Sequence, residues 1–144
     1  MSGWGAAPLR ADFIHRCLGT IDDKDMHVNA KDDKNLQEVL DKIASHEPAA
    51  REVLQRMHQV VLAAAPDLKP RVWYGAAGYA KSASTPVLVF FRKDEFMTLG
   101  LTEKAAVAPA GGPDGLLMPC AWYFEGLDEA TERRVADIVR AATA

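Results

Sequence analysis

Residues 68–101 read LKPRVWYGAAGYAKSASTPVLVFFRKDEFMTLGL, and this stretch decides the fold class. It contains short runs of aromatic and β-branched residues, and each run closes on Gly, Pro or a charged turn. Such runs are typical of successive strands in an antiparallel sheet. Lys93-Asp94-Glu95 forms a compact polar turn between two apolar runs, so residues 87–91 and 96–101 are predicted to pair as a hairpin.

Amphipathic helices flank these strands in the sequence. Pro48 suits a first helical turn and Pro66 ends a helix, and apolar residues recur at helical spacing between the two prolines. Residues 121–124 read as a last strand, and Asp128 can cap a C-terminal helix that follows. The predicted fold is a two-layer α+β domain. Its antiparallel sheet of about four to five strands packs against a long N-terminal helix and a C-terminal helix.

The N-terminal quarter of the chain gives a weaker pattern. Residues 1–34 are predicted as an N-terminal extension, partly irregular, and residues 35–144 as the α+β domain. The segment 22–34 is rich in Asp and Lys and reads as a loop or connector. A short helix is expected to begin near Leu36, with Asp32 or Asp33 as its cap. One face of another short helix fits Leu9, Phe13, Ile14, Cys17 and Leu18.

Composition narrows the class of protein and its surroundings. A chain of 144 residues is long enough for one domain with its own core. The net charge of −3 argues against a strongly basic nucleic-acid binder. The sequence has no apolar run as long as a membrane span and no secretory signal, and its two cysteines, Cys17 and Cys120, are far apart. We therefore expect a cytoplasmic protein with reduced thiols, bound neither to nucleic acid nor to a membrane.

The charged side chains of the predicted strands from Leu68 to Lys93 are all basic. Five cations and no carboxylate lie between Leu68 and Lys93. A cationic sheet can attract an anionic ligand. The alternative, which we favour on sequence alone, is that these are exposed strand ends where Lys and Arg discourage aggregation.

The order of elements and several local motifs resemble the YdhG-like domain family. The resemblance covers the last two-thirds of the chain, from about Glu47 onward. The motifs are Ala65-Pro66-Asp67-Leu68, Trp73-Tyr74-Gly75, Tyr79-Ala80 and Leu99-Gly100-Leu101, followed by the strand 121–124 and the closing helix 129–142. Ala77 stands near the place where members of the family often have Pro. The resemblance implies a two-layer α+β fold.

The function of most members of this family is unknown, and at least one is described as a frataxin-like iron chaperone, so the resemblance implies iron handling by a non-enzymatic protein. Iron prefers oxygen ligands, which carboxylates supply. The helix that begins at Pro48 carries few acids, so the candidate metal ligands lie instead at Glu125, Glu129 and Glu132. The alternative is that these acids stabilise the first turn of the C-terminal helix. Iron is thus the one cofactor that the resemblance suggests.

A second hypothesis is a module that binds a small ligand or a protein partner with the aromatic face of the sheet. Its candidate residues are Trp73, Tyr79 and Lys81, since ligand sites combine apolar walls with a few polar groups. The alternative is that these aromatic rings are core. No nucleophile elbow, phosphate-cradling loop or dinucleotide motif is present, and Cys120 lies in an apolar run that predicts burial. We therefore expect that the protein is not an enzyme. A homodimer is compatible with the sequence, which does not decide the oligomeric state.

Overall fold

The computed structural model describes residues 23–144, with side chains from residue 30 onward, and it has the predicted α+β architecture. Within these described residues, two helices precede five strands, and a third helix follows the last strand. The elements are α1 (Asp23–Ala44), α2 (Pro48–Ala64), β1 (Lys69–Trp73), β2 (Ala76–Ala80), β3 (Val87–Lys93), β4 (Met97–Leu101), β5 (Ala121–Phe124) and α3 (Glu129–Ala142). The strands follow one another in the sheet in the order β1-β2-β3-β4-β5, and every neighbouring pair is antiparallel.

The register separates the two faces of the sheet. Tyr79 lies opposite Pro70 on one side and Val89 on the other, and Phe91 lies opposite Ala77 and Leu99. Directly opposed residues share a face, because side chains alternate along each strand. This face packs against the helices and forms the core. The core includes Val39 and Ile43 of α1, Leu54, Met57 and Val61 of α2, and Val135 and Val139 of α3.

The prediction of a loop over 22–34 is wrong for the described part of that segment. Residues 23–44 form one continuous helix, so the boundary predicted after residue 34 falls inside α1. Asp32 and Asp33 lie within the helix and do not cap it. The segment contains no Pro or Gly, and charged residues do not break a helix whose apolar end is anchored. That anchor is Val39 and Ile43, which are buried where α1 packs beside β1. The short helix expected near Leu9–Leu18 lies outside the described residues.

The other two helices form as predicted. Pro48 occupies the first turn of α2, and the helix ends one residue before Ala65. The Asp128 side chain accepts a hydrogen bond of 2.7 Å from the Thr131 amide at the start of α3, which is the expected cap. This bond to the charged form lowers the pKa of the Asp128 carboxyl. Among the described residues, none of the helices combines the length and apolarity that crossing a membrane requires.

A two-residue turn joins β1 to β2. Tyr74 and Gly75 both have positive φ, 50° and 75°, which is the type I′ geometry that matches the twist of paired strands. Gly75 adopts this region at no steric cost, whereas Tyr74 does so against the preference of an L-residue. The turn fixes the register in which Trp73 lies opposite Ala76.

Candidate functional site

The side of the sheet that faces away from the helices is the candidate site. We call it the outer face. Its members alternate with the core residues along each strand, and the register aligns them across the sheet. They include Arg71, Trp73, Gly78, Phe90, Arg92, Thr98, Gly100, Ala121 and Tyr123.

An aromatic cluster occupies one end of the outer face. The ring centroids of Trp73 and Phe90 are 5.1 Å apart, and the Tyr74 ring meets Trp73 edge-on at 4.7 Å. Such distances are those of favourable aromatic pairs. Phe90 lies across the backbone of Gly100, where a methyl group would overlap the ring. Trp73 and Phe90 are half-buried, so the cluster presents ring faces and edges to solvent.

The backbone of Tyr74 is strained. Its φ of 50° lies in the left-handed region, and its side chain is nevertheless 83% exposed. The exposed ring buries too little surface to offset the strained backbone, which costs on the order of 1 kcal/mol for a non-glycine residue. Asn or Gly would suit this turn position better. An exposed aromatic side chain at a strained position points to a binding role.

Arg71 lies on the same face of the sheet as Trp73, and its side chain is directed toward the loop that follows β2. Its Nη1 donates hydrogen bonds to the carbonyl oxygens of Ser82, at 3.3 Å, and Ala83, at 2.9 Å. Within residues 30–144 no carboxylate forms an ion pair with it. Arg92, the other outer-face arginine, pairs with Asp94 at 3.3 Å. Arg71 is therefore a half-buried guanidinium, oriented by backbone carbonyls, whose charge is not neutralised by a neighbouring acid.

The structure does not bring the three predicted ligand residues together. Trp73 lies on the outer face, but Tyr79 is fully buried on the core face. Lys81 is exposed beyond the end of β2. A ligand on the outer face would touch Trp73 and would not reach Tyr79.

Tyr79 has a structural partner that the sequence reading missed. Its hydroxyl and Nδ1 of His58 are 2.6 Å apart inside the core. Burial raises the pKa of Tyr79 well above its usual value. His58 is almost fully buried in the structure. Its spacing from Leu54 and Val61 already placed it on the apolar side of the helix, and that was the signal available in the sequence.

The predicted metal ligands do not form a cluster. Glu132 binds Arg56 of α2 through two hydrogen bonds of 2.7 and 2.8 Å, and Glu129 pairs with Arg133 at 3.0 Å. The guanidinium of Arg56 lowers the pKa of Glu132. Within residues 30–144 no group of three or more His, Cys, Asp or Glu side chains is placed to hold a metal ion. The metal site at Glu125, Glu129 and Glu132 therefore stays a prediction, and two of its three carboxylates bind arginines in this structure.

An open groove of about 290 Å³ lies between α2 and α3, on the helical side of the molecule. Its floor is apolar, with Val60, Ala63 and Ala136. The charged residues at its rim are already paired, chiefly through Arg56 and Glu132. The groove therefore offers no unpaired charge that would select a ligand.

Cys120 is exposed, contrary to the burial expected from its apolar neighbours. It precedes β5 at an edge of the sheet, where the segment it belongs to has no covering layer among the described residues. In this apolar run the side chains of Trp122 and Phe124 pack against the core, whereas Cys120 stays exposed.

Comparisons with known proteins add no assignment. The chain matches no family model, and no significant match was found among curated proteins or solved structures. Its likeness to the YdhG-like domain family therefore stays a prediction made from sequence motifs.

Proposed function

We propose that this chain is a non-catalytic binding domain whose outer face recognises an acidic polypeptide segment carrying apolar side chains. The observation that supports the proposal best is that Arg71 and the Trp73–Phe90 ring pair share one face of the sheet, with the exposed Tyr74 ring in edge contact with Trp73. The aromatic rings offer apolar contact area at a low entropic cost, and the guanidinium offers charge.

The charges on the outer face favour an acidic partner. The outer-face charges on the strands are arginines and a lysine, at Lys69, Arg71 and Arg92, and those strand positions carry no carboxylate. Carboxylate side chains suit an arginine with free donors, because guanidinium–carboxylate hydrogen bonds are charge-assisted. The net charge of −3 arises from acids elsewhere on the chain, so the charge of this face is opposite in sign to that of the whole chain.

Shape favours a polypeptide over a small molecule. Small-ligand sites are concave and enclose most of the ligand. The outer face is one side of an open sheet, and the groove described above lies between helices on the other side. A peptide or protein surface can cover a flat aromatic patch, and Tyr, Trp and Arg are the residues that carry most binding energy in such interfaces.

A titration monitored by NMR tests the proposal. The probe is a synthetic peptide in which Asp and Glu alternate with Leu and Phe, and the control is the same peptide with Lys at every acidic position. We expect amide and indole shifts confined to the outer face, with the acidic peptide only, and an affinity that falls as salt is raised. Absence of shifts, or shifts confined to the α2–α3 side, would contradict the proposal.

Two arginine variants provide the matched pair for this titration. Arg71→Gln removes one of the outer-face charges and is expected to weaken binding by about tenfold or more, as for a lost charged hydrogen bond. Arg134→Gln removes an exposed arginine of α3, on the opposite side of the sheet, and is expected to leave the affinity unchanged. Equal losses in both variants would mean that net charge alone drives binding.

Iron binding is the second candidate and comes from the family resemblance alone. Its support is weaker because Glu129 and Glu132 already bind arginines. Calorimetric titration with ferrous ion under anaerobic conditions tests it. Stoichiometric binding that is lost in Glu129→Ala/Glu132→Ala would favour iron over the peptide-binding proposal.

A further inference from the structure

The outward edge of β5 has free backbone hydrogen-bonding groups. In an antiparallel pair, alternate residues exchange hydrogen bonds with the partner strand. The Leu101 amide bonds to the Cys120 carbonyl at 2.7 Å, so Cys120, Trp122 and Phe124 direct their backbone groups toward β4. Ala121 and Tyr123 therefore direct theirs outward. Beyond the ladder, no hydrogen bond among the described residues uses those groups.

The opposite edge of the sheet is protected, and β5 is not. The same alternation directs the backbone of Pro70 outward at the β1 edge, where proline has no N–H to offer. Helix α1 also lies beside β1. Natural sheets block their edges with proline, charge or a covering helix, since an open edge pairs with other chains. In the β5 strand itself none of these devices is present, although Pro119 stands just before it.

The surface next to this edge is strongly apolar. Residues 116–124 contain no charged side chain. Leu116 is 93% exposed, Tyr123 is 75% exposed, and Leu117 and Met118 are exposed as well. Exposed apolar residues that adjoin an open strand edge mark an interaction surface rather than ordinary solvent-facing chain.

We infer that β5 pairs antiparallel with β5 of a second copy of this chain, so that two sheets join into one of ten strands. A two-fold axis at Trp122 places Ala121 opposite the partner's Tyr123 and Tyr123 opposite the partner's Ala121. Both pairs then exchange two hydrogen bonds each, which satisfies all four outward groups of each copy. The same axis places Pro119 opposite the bend at Glu125 of the second copy. Pro119 has no amide hydrogen, so no hydrogen bond is lost at that position.

A second copy fits this edge for an electrostatic reason too. A two-fold axis places each charged residue near the axis close to the same residue of the second copy. Two copies with a net charge of −3 would therefore repel each other at most surfaces. The uncharged segment 116–124 lets two copies meet without opposing like charges. An isologous two-fold contact also closes on itself, which an open edge requires if it is not to recruit chains without limit. The pairing depends on the backbone of β5 and not on the proposed role of the outer face.

Amide hydrogen exchange at single-residue resolution tests this pairing on the full chain. We expect the amides of Ala121 and Tyr123 to be protected at high protein concentration and to exchange rapidly on dilution. The amides of Trp122 and Phe124 bond to β4 in either state and serve as internal controls. Light scattering should give twice the chain mass under the concentrated conditions. A monomer, or a dimer in which Ala121 and Tyr123 stay unprotected, would overturn the inference.

A matched pair of variants isolates the outward amide. Ala121→Pro removes an N–H that the monomer does not use, so the far-UV spectrum should be unchanged while dimerisation weakens by about tenfold or more. Ala121→Val keeps the amide and adds a strand-favouring side chain, so it should remain dimeric. If Ala121→Pro fails to fold, Tyr123→Lys replaces it, because a lysine at an exposed edge opposes pairing. A dimer that survives in the folded variant contradicts the inference.

Discussion

At the scale of single residues, the backbone conformation of Tyr74 and the burial of Tyr79 have opposite effects on stability. Tyr74 is strained and mostly exposed, and its ring contact with Trp73 buries little surface. Tyr79 is buried and hydrogen-bonded to His58, which stabilises the core. The two tyrosines are five residues apart in the sequence, yet one belongs to a candidate binding surface and the other to the interior.

Tyr74→Asn should make the protein more stable and weaken its binding. Asn tolerates positive φ and precedes Gly in the preferred type I′ turn, so we expect a gain of about 1 kcal/mol in the free energy of unfolding. The lost ring should weaken binding of the acidic peptide. Urea unfolding and the peptide titration measure the two effects. Tyr74→Phe keeps both the ring and the strain and should change neither; a Tyr74→Asn variant that binds normally would remove Tyr74 from the site.

Tyr79→Phe should destabilise the protein by about 1–2 kcal/mol at neutral pH, because a buried hydrogen bond to His58 is lost. Tyr123→Phe changes an exposed hydroxyl and is the matched control. Urea unfolding measures both.

The same pair of proteins gives a pH test. Burial keeps Tyr79 neutral in the folded chain, whereas an unfolded tyrosine loses its proton near pH 10. The stability that Tyr79 contributes is therefore complete below about pH 10 and falls as the pH rises further, by up to about 1.4 kcal/mol per pH unit. The difference between wild type and Tyr79→Phe should narrow above pH 10. A constant difference would mean that Tyr79 is not shielded from solvent.

At the scale of elements, the contact between α2 and α3 combines a buried apolar stripe with one exposed ion pair. Met57 and Val61 of α2 belong to the same core cluster as Val135 and Val139 of α3. Arg56 and Glu132 join the two helices at the surface through a two-point contact. The apolar stripe supplies most of the stabilisation, since exposed ion pairs contribute little.

Glu132→Gln should lower the free energy of unfolding by about 0.5–1 kcal/mol at low salt, because it weakens the two-point contact with Arg56. The loss should shrink at high salt, where surface charges are screened. Glu129→Gln affects an ion pair within one helix and should have no measurable effect. Urea unfolding at two salt concentrations measures the series. Equal losses for both variants would show that the ion pair between α2 and α3 contributes no more stability than the ion pair within α3.

At the scale of the whole molecule, two surfaces are left uncovered by residues 23–144, and each has its own chemistry. The outer face has aromatic rings and arginines, whereas the β5 edge has free backbone groups and aliphatic side chains. Helices cover the other face of the sheet, and α1 and Pro70 protect the β1 edge. Pairing through β5 would place two outer faces side by side in one surface, which would double the sites available to a repetitive or dimeric partner.

The sequence alone determined the order of strands and the amphipathic helices after Pro48, because these depend on local patterns of period two and 3.6 and on Pro and Gly as breaks. The opposite faces of Trp73 and Tyr79 were not predicted, because they follow only once Tyr74-Gly75 is recognised as a two-residue turn. Only the tertiary structure decided that charged residues 23–34 continue a helix, that Glu129 and Glu132 bind arginines, and that Cys120 is exposed. The physical reason is that these outcomes depend on which distant segments pack together. A local pattern records the preference of a segment but not the neighbour that satisfies it.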